Sequence, residues 1–139
     1  MSRVFAVAGW LLSLGASGAS QRLLALLRAL PDLLTPTEKI VVLHAGPPPL
    51  PARQGIECVA LRIPARPTWR RVFAERRLLP GALRELDAAL LHVESLPLPR
   101  VRCPVALTVH DLRDLGAYRR RNAFLFARVL RASVARAAA

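Results

Sequence analysis

Lysine is all but missing from this 139-residue chain: of 21 basic residues a single one, Lys39, is lysine and the rest are arginine. Acidic residues are scarce too, nine against those 21, which leaves a formal net charge of +12. Such a surface attracts anions, whether nucleotide or sugar phosphates, lipid headgroups or nucleic acid. Nucleic acid is the weakest of these partners. Only seven aromatic side chains are present (four Phe, two Trp, one Tyr), and no helix-turn-helix, RNA-recognition or zinc-finger pattern occurs. Cysteine is limited to Cys58 and Cys103, too few for a disulfide scaffold, and neither has the Cys/His spacing of a metal site. Both fall in or beside apolar runs and read as buried free thiols of a reducing compartment. No stretch reaches the ~18–20 uncharged apolar residues of a membrane span.

What the chain does have is hydrophobic residues, 53% of the total, enough for one domain with a proper core. They come in short runs separated by turn signals. Residues 4–12 are apolar and lead into a small-residue loop with Gly15 and Gly18; residues 39–44 (KIVVLH) and 87–94 (DAALLHVE) are two further buried strands. Residues 55–61 alternate and read as a strand nearer the sheet edge. The run 104–115, PVALTVHDLRDL, is apolar through Val109 and then stops on His110 and Asp111, as a buried strand does when it delivers polar groups to a crevice.

Helical periodicity fills the gaps. Leu23, Leu26, Leu27 and Leu30 place an amphipathic helix over 19–30, with Arg22 and Arg28 on other faces, Ser17 or Ser20 as its cap and Pro31 as its limit. Residues 68–86 form a helix interrupted at Pro80-Gly81. Trp69, Val72, Phe73 and Leu79 make its apolar stripe, and Arg66, Arg70, Arg71, Arg76 and Arg77 a positive face. That face suits a solvated surface, or a peripheral contact with anionic lipid. A last helix spans 117–138, with Leu125, Val129 and Ala132 on one side, and the chain then ends without a cap or returning strand, as a truncated domain would. The sum is an α/β chain with a Rossmann-like parallel sheet flanked by helices, in a single domain over 1–139 that is incomplete at its C-terminus. The link 45–54, with four prolines, is barely long enough for a parallel crossover, so the third strand has the weakest pairing argument.

Function is sought at the strand ends. His44, His92 and His110 are the only histidines, each at or near the C-terminal end of a strand, and in a parallel sheet those ends share one edge. A three-histidine metal site has little support, because the spacings contain no short-range pair. The loop from Gly15 to Gly18 at a helix N-terminus is a natural anion cradle, although it matches neither the dinucleotide fingerprint nor a Walker A loop. Residues 1–19 also fit a secretory signal peptide: a basic start, an apolar centre and small residues before Ala19.

The segments GASGASQRLLALLRAL (15–30), LDAALLHVESLPLP (86–99) and PVALTVHDLRDL (104–115), followed by YRRRNAFLFARVLRASVARA, resemble in order the N-terminal half of GT-B-fold retaining glycosyltransferases, the group 1, subfamily 4-like enzymes that use nucleotide-sugar donors. TVHDL is the most specific of these elements. The resemblance implies an acceptor-side domain that works with a C-terminal donor-binding domain, in cis or in trans. Its partners would be a nucleotide-sugar donor and a glycan or lipid-linked acceptor, as in the making of bacterial cell-surface polysaccharide. Further implications are no cofactor or metal, and a cytoplasmic location, peripheral at the inner face of the membrane. Gly15 and Gly18 would approach donor diphosphate and acceptor, and His110 would reach the transferred sugar, beside Asp111. His92, Glu94 and His44 are secondary members of the site. The family's paired donor-site glutamates, eight positions apart, have no counterpart among the five glutamates here, and the loop lacks a Gly-Gly pair. This chain alone is therefore expected to be inactive. The rival readings are a non-enzymatic Rossmann-like module for an anion or a partner, an exported basic protein, and a nucleotide-sugar epimerase.

Overall fold

A computed structural model describes residues 2–110 and 120–137. Five strands form one parallel sheet: β1 (Arg3–Ala8), β2 (Glu38–His44), β3 (Ile56–Ala60), β4 (Ala88–Val93) and β5 (Val105–Leu107). Their order is β3-β2-β1-β4-β5, which puts the first strand at the centre. Among the described residues three helices flank the sheet: α1 (Gly18–Ala29), α2 (Thr68–Glu85) and α3 (Arg120–Ala137). This is the Rossmann-like α/β architecture that the alternation of periodicities predicts.

The central strands are apolar on both faces because both faces are covered. On one side Val7, Ile40 and Val42 pack against Leu23 and Leu27 of α1; on the other Ala6, Val41 and Leu91 pack against Leu79 and Leu83 of α2. The first strand is shorter than residues 4–12. It ends at Ala8 because Gly9 crosses very close to β2: a Cβ there would sit 2.8 Å from Val42 Cγ1 and 2.9 Å from the Leu43 carbonyl oxygen. The chain then takes one 3₁₀ turn, Trp10–Leu14, which buries Trp10. Apolar residues fit either conformation, so hydropathy did not separate turn from strand.

β3 pairs parallel with β2, Ile40 opposite Ile56 through His44 opposite Ala60, and lies at the sheet edge as expected. No helix covers this crossover. Leu50, in the proline-rich link, takes that place, buried in the α1-side cluster with Ile56. β5 corrects the reading of 104–109 as a fully buried strand. It is a three-residue edge strand of half-buried side chains paired only with β4 among the described residues. Thr108 to His110 have already left the ladder, although the Thr108 amide still donates to the Val93 carbonyl at 2.9 Å.

Two helices depart from expectation. α2 runs unbroken through Pro80. Leu79 and Leu83, on either side of that proline, are buried in the same core and hold the two halves on one axis. The rotation of α2 also differs. Arg71 and Glu75 face the sheet as a buried ion pair, Nε to Oε1 3.4 Å, while Trp69 and Phe73 face solvent. Arg71 Nη2 donates to the Leu96 carbonyl, which explains why an arginine of the supposed positive face turns inward. In α3 the packed residue is Ser133, whose Oγ accepts from the Leu98 amide at 3.3 Å; Leu125 is exposed. Pro31 does not end the first helical segment outright, since a 3₁₀ turn, Leu30–Leu33, continues it. Cys58 and Cys103 are free and half-buried rather than buried, and burial pushes the Cys103 thiol up from its ordinary value. Among the described residues no helix is long and apolar enough to cross a membrane.

Candidate functional site

Register decides which side chains meet at the C-terminal edge. Val7 of β1 is opposite both Val42 of β2 and His92 of β4, so His92 lies on the α1 side of the sheet. Two residues further on, past the end of β4, Glu94 lies on that side as well. Its carboxylate is buried, with 1% of the side chain exposed, and it is held from two directions. Oε1 accepts from Arg22 Nη1 of α1 at 3.0 Å, and Oε2 accepts from His110 Nε2 at 2.9 Å. A buried carboxylate is strongly unfavourable unless paired and hydrogen-bonded, and these two contacts supply a partner to each of its oxygens.

The contact to Glu94 also orients His110. A carboxylate only accepts, so Nε2 carries the proton in this pair and Nδ1 is the nitrogen left for other partners. With 24% of its side chain exposed, His110 is partly open to ligands. His92 shares a hydrogen bond with Thr108 Oγ1 at 2.9 Å and lies 4.0 Å from Glu94. Burial holds its imidazole below the ordinary histidine range; the Glu94 charge opposes that shift, and Arg22 and His110 reinforce it. His92 supports the cluster through its hydrogen bond with Thr108. The result is an Arg22–Glu94–His110 chain backed by His92 and Thr108.

The small-residue loop lies at the same edge, since β1 and β4 are neighbouring parallel strands. Gly15 has φ 88°, a left-handed conformation that favours glycine, and Ser17 caps α1. Ser17 Oγ accepts from the Ser20 amide at 3.1 Å, and Ser20 Oγ accepts from the Ser17 amide at 2.7 Å. This capping box occupies two of the amides that the cradle reading offered to an anion. Gly18 and Ala19, the first residues of the helix, have no carbonyl partner within it. Nothing approaches within 4 Å of where a Gly18 Cβ would be, so the surface there is open.

The structure sorts the sequence candidates into two groups. Glu94, His92 and His110 come together. His44 does not join them: it is buried on β2, its Nδ1 donates to the Gly46 carbonyl at 2.7 Å, and it lines a separate cleft of about 320 Å³ with Gly9, Ser13 and Gly15. Asp111 lies outside the described residues. Among the described residues no set of three His, Cys, Asp or Glu side chains is arranged to hold a metal. Arg22 and Thr108 are the members that sequence reasoning missed. Arg22 flanks the leucine stripe of its helix, and nothing in the sequence pairs it with a residue 72 positions away. Thr108, two residues before His110 at a strand end, carried the one available signal.

Another cleft, about 580 Å³, lies at the opposite edge, near the starts of β2 and β3. Its charges are satisfied among themselves: Arg53 with Asp32 at 2.8 Å, Lys39 with Glu57 at 3.1 Å, and Glu38 with the Thr35 amide at 3.0 Å. The Thr35 hydrogen bonds hold the Glu38 carboxyl below its ordinary value. Such a cleft offers little to a ligand, and ligands of open parallel sheets bind at the carboxyl ends of the strands. No known protein family, curated protein or solved structure matches this chain.

Proposed function

We propose that this chain is the acceptor-side, Rossmann-like half of a glycosyltransferase that moves a sugar from a nucleotide-sugar donor to a glycan or lipid-linked acceptor. The observation that carries the reading is the Arg22–Glu94–His110 chain at the sheet's C-terminal edge. It anchors one partly open imidazole on a buried anion, beside a glycine loop and a helix N-terminus.

In such a transfer the bond from the anomeric carbon to the diphosphate oxygen breaks, a bond to the acceptor oxygen forms, and the acceptor hydroxyl loses its proton. This half-site supplies orientation and charge stabilisation. His110, fixed through Nε2 by Glu94, presents Nδ1 to a hydroxyl of the transferred sugar. Arg22, 51% exposed, pairs with Glu94 and adds positive potential toward the departing diphosphate. Gly15 and Gly18 leave room for the substrates to approach the backbone, and the Gly18 and Ala19 amides face an anion. His92 and Thr108 brace the cluster. The reading requires a second, donor-binding domain, in cis or in trans.

The test is nucleotide diphosphate release and product formation by the chain joined to, or mixed with, its donor-binding domain. His110→Ala is expected to lower kcat/KM by about 10²-fold, the order of effect of losing one well-placed polar contact in a transition state. The 139-residue chain by itself is expected to transfer nothing. Unchanged turnover in His110→Ala removes His110 from the site. An assembled protein that binds an anion but moves no sugar makes this a binding module.

A further inference from the structure

The face of α2 turned away from the sheet has an unusual composition. Trp69 and Phe73, one turn apart, are 67% and 65% exposed. Around and beyond them Arg70, Arg76, Arg77 and Arg84 recur at helical spacing, with Arg66 in the loop just before, all exposed. The guanidinium of Arg70 stacks over the Trp69 ring at 5.2 Å. Among the described residues none of these five arginines is part of an ion pair, and the one acid in the first turns of the helix, Glu75, is buried facing the sheet against Arg71. An 18-residue helix of roughly 27 Å thus offers a stripe dominated by arginine, with two adjacent aromatic rings near one end and Glu85 its one exposed acid, in the last turn.

The physics of this face narrows its occupant. Two large aromatic side chains left in water gain by entering an apolar or interfacial medium. A protein groove that took them would also have to desolvate the surrounding arginines or match them with acids. A bilayer surface does neither: the guanidinium groups stay in the headgroup layer on phosphate oxygens, while the indole and phenyl rings enter the boundary below.

We propose that the outward face of α2 docks on an anionic phospholipid surface, with Trp69 and Phe73 in the interfacial layer and Arg66, Arg70, Arg76, Arg77 and Arg84 on headgroup phosphates. This inference stands apart from the sugar-transfer reading, and its test requires no turnover.

The molecule carries its own probe. Trp10 is fully buried and Trp69 is exposed, and there are no other tryptophans, so a blue shift on adding vesicles reports Trp69 alone. With vesicles of phosphatidylglycerol and phosphatidylcholine the expected result is a blue shift and co-sedimentation, both lost with pure phosphatidylcholine and weakened by 0.5 M salt. Removing an arginine near an anionic surface lowers partition by about fivefold. Arg70→Glu/Arg76→Glu/Arg77→Glu is therefore expected to weaken sedimentation by at least about a hundredfold, and Trp69→Ala/Phe73→Ala by about tenfold, with circular dichroism and Tm unchanged. If a variant fails to fold, the lipid and salt dependence of the unaltered protein still decides. Equal binding to neutral vesicles, no binding at all, or tighter binding to duplex DNA than to anionic vesicles overturns the proposal.

Discussion

Glu94 and Glu75 are both buried carboxylates beside an arginine, but their hydrogen-bond partners differ. Glu94 has hydrogen-bond donors on both oxygens. Glu75 has Arg71 at 3.4 Å, but its Oε1 makes no hydrogen bond among the described residues. Burial accordingly pushes the Glu75 carboxyl up to about 7 from an ordinary 4.5, with Arg71 opposing only part of the shift. A raised acid binds its proton more tightly folded than unfolded, so its contribution to stability is complete below pH 4.5 and is lost as pH rises through about 7. Comparing the unaltered protein with Glu75→Gln isolates that contribution. By urea unfolding, the advantage of the unaltered protein over the variant is expected to shrink between pH 5 and pH 8 by on the order of 2 kcal/mol. A difference that does not change with pH contradicts the assignment. Neither environment was legible from the residues. Arg71 reads from the sequence as part of a positive face, and only its tertiary contact to Leu96 shows why it is buried. Likewise His110 and Glu94 are both visible at strand ends, whereas their hydrogen bond depends on how β4 and β5 leave the sheet.

At the level of elements, the apolar runs of β1, β2 and β4 were readable because strands covered on both faces have no polar side to interrupt them. β5 escaped because an edge strand can be equally apolar without being equally buried. Helix existence was legible, whereas rotation and continuity were not. Trp69 and Phe73 look like core residues by hydropathy, yet α2 is turned so that Leu79 and Leu83 meet the sheet and the rings meet solvent. The leucines also carry the helix through Pro80, whose ring removes one backbone hydrogen bond and crowds the preceding turn. Replacing Pro80 by Ala restores that bond. The substitution is expected to raise stability by roughly 1–3 kcal/mol, with the helix content by circular dichroism equal or higher. A lower unfolding midpoint would show that α2 depends on a proline-set bend for its fit to the sheet.

For the molecule as a whole, strand order is what sequence withheld. The chain visits the sheet centre first, adds β2 and β3 on one side, and then crosses to β4 and β5 on the other. That route makes Arg3–Ala8 the central strand of the sheet and leads from it through the turn Trp10–Leu14 into α1. It also brings the α1 N-terminus against the end of β4, and so joins Arg22 to Glu94 across 72 residues. The sequence showed chemistry at strand ends, and topology sorted it: Glu94 and His110 meet past the ends of β4 and β5, whereas His44 on β2 lines a cleft with Gly9, Ser13 and Gly15. The claim that this one edge is the ligand site can be measured directly by following backbone amide shifts of isotope-labelled protein during titration with uridine diphosphate glucose and, separately, inorganic pyrophosphate. The account predicts shifts concentrated at Gly15, Gly18, Ala19, Arg22, Glu94, Thr108 and His110, weakened in Glu94→Gln. Shifts confined to the opposite cleft, at Thr35, Lys39 and Glu57, or none at the His110 edge at saturating ligand, would contradict it.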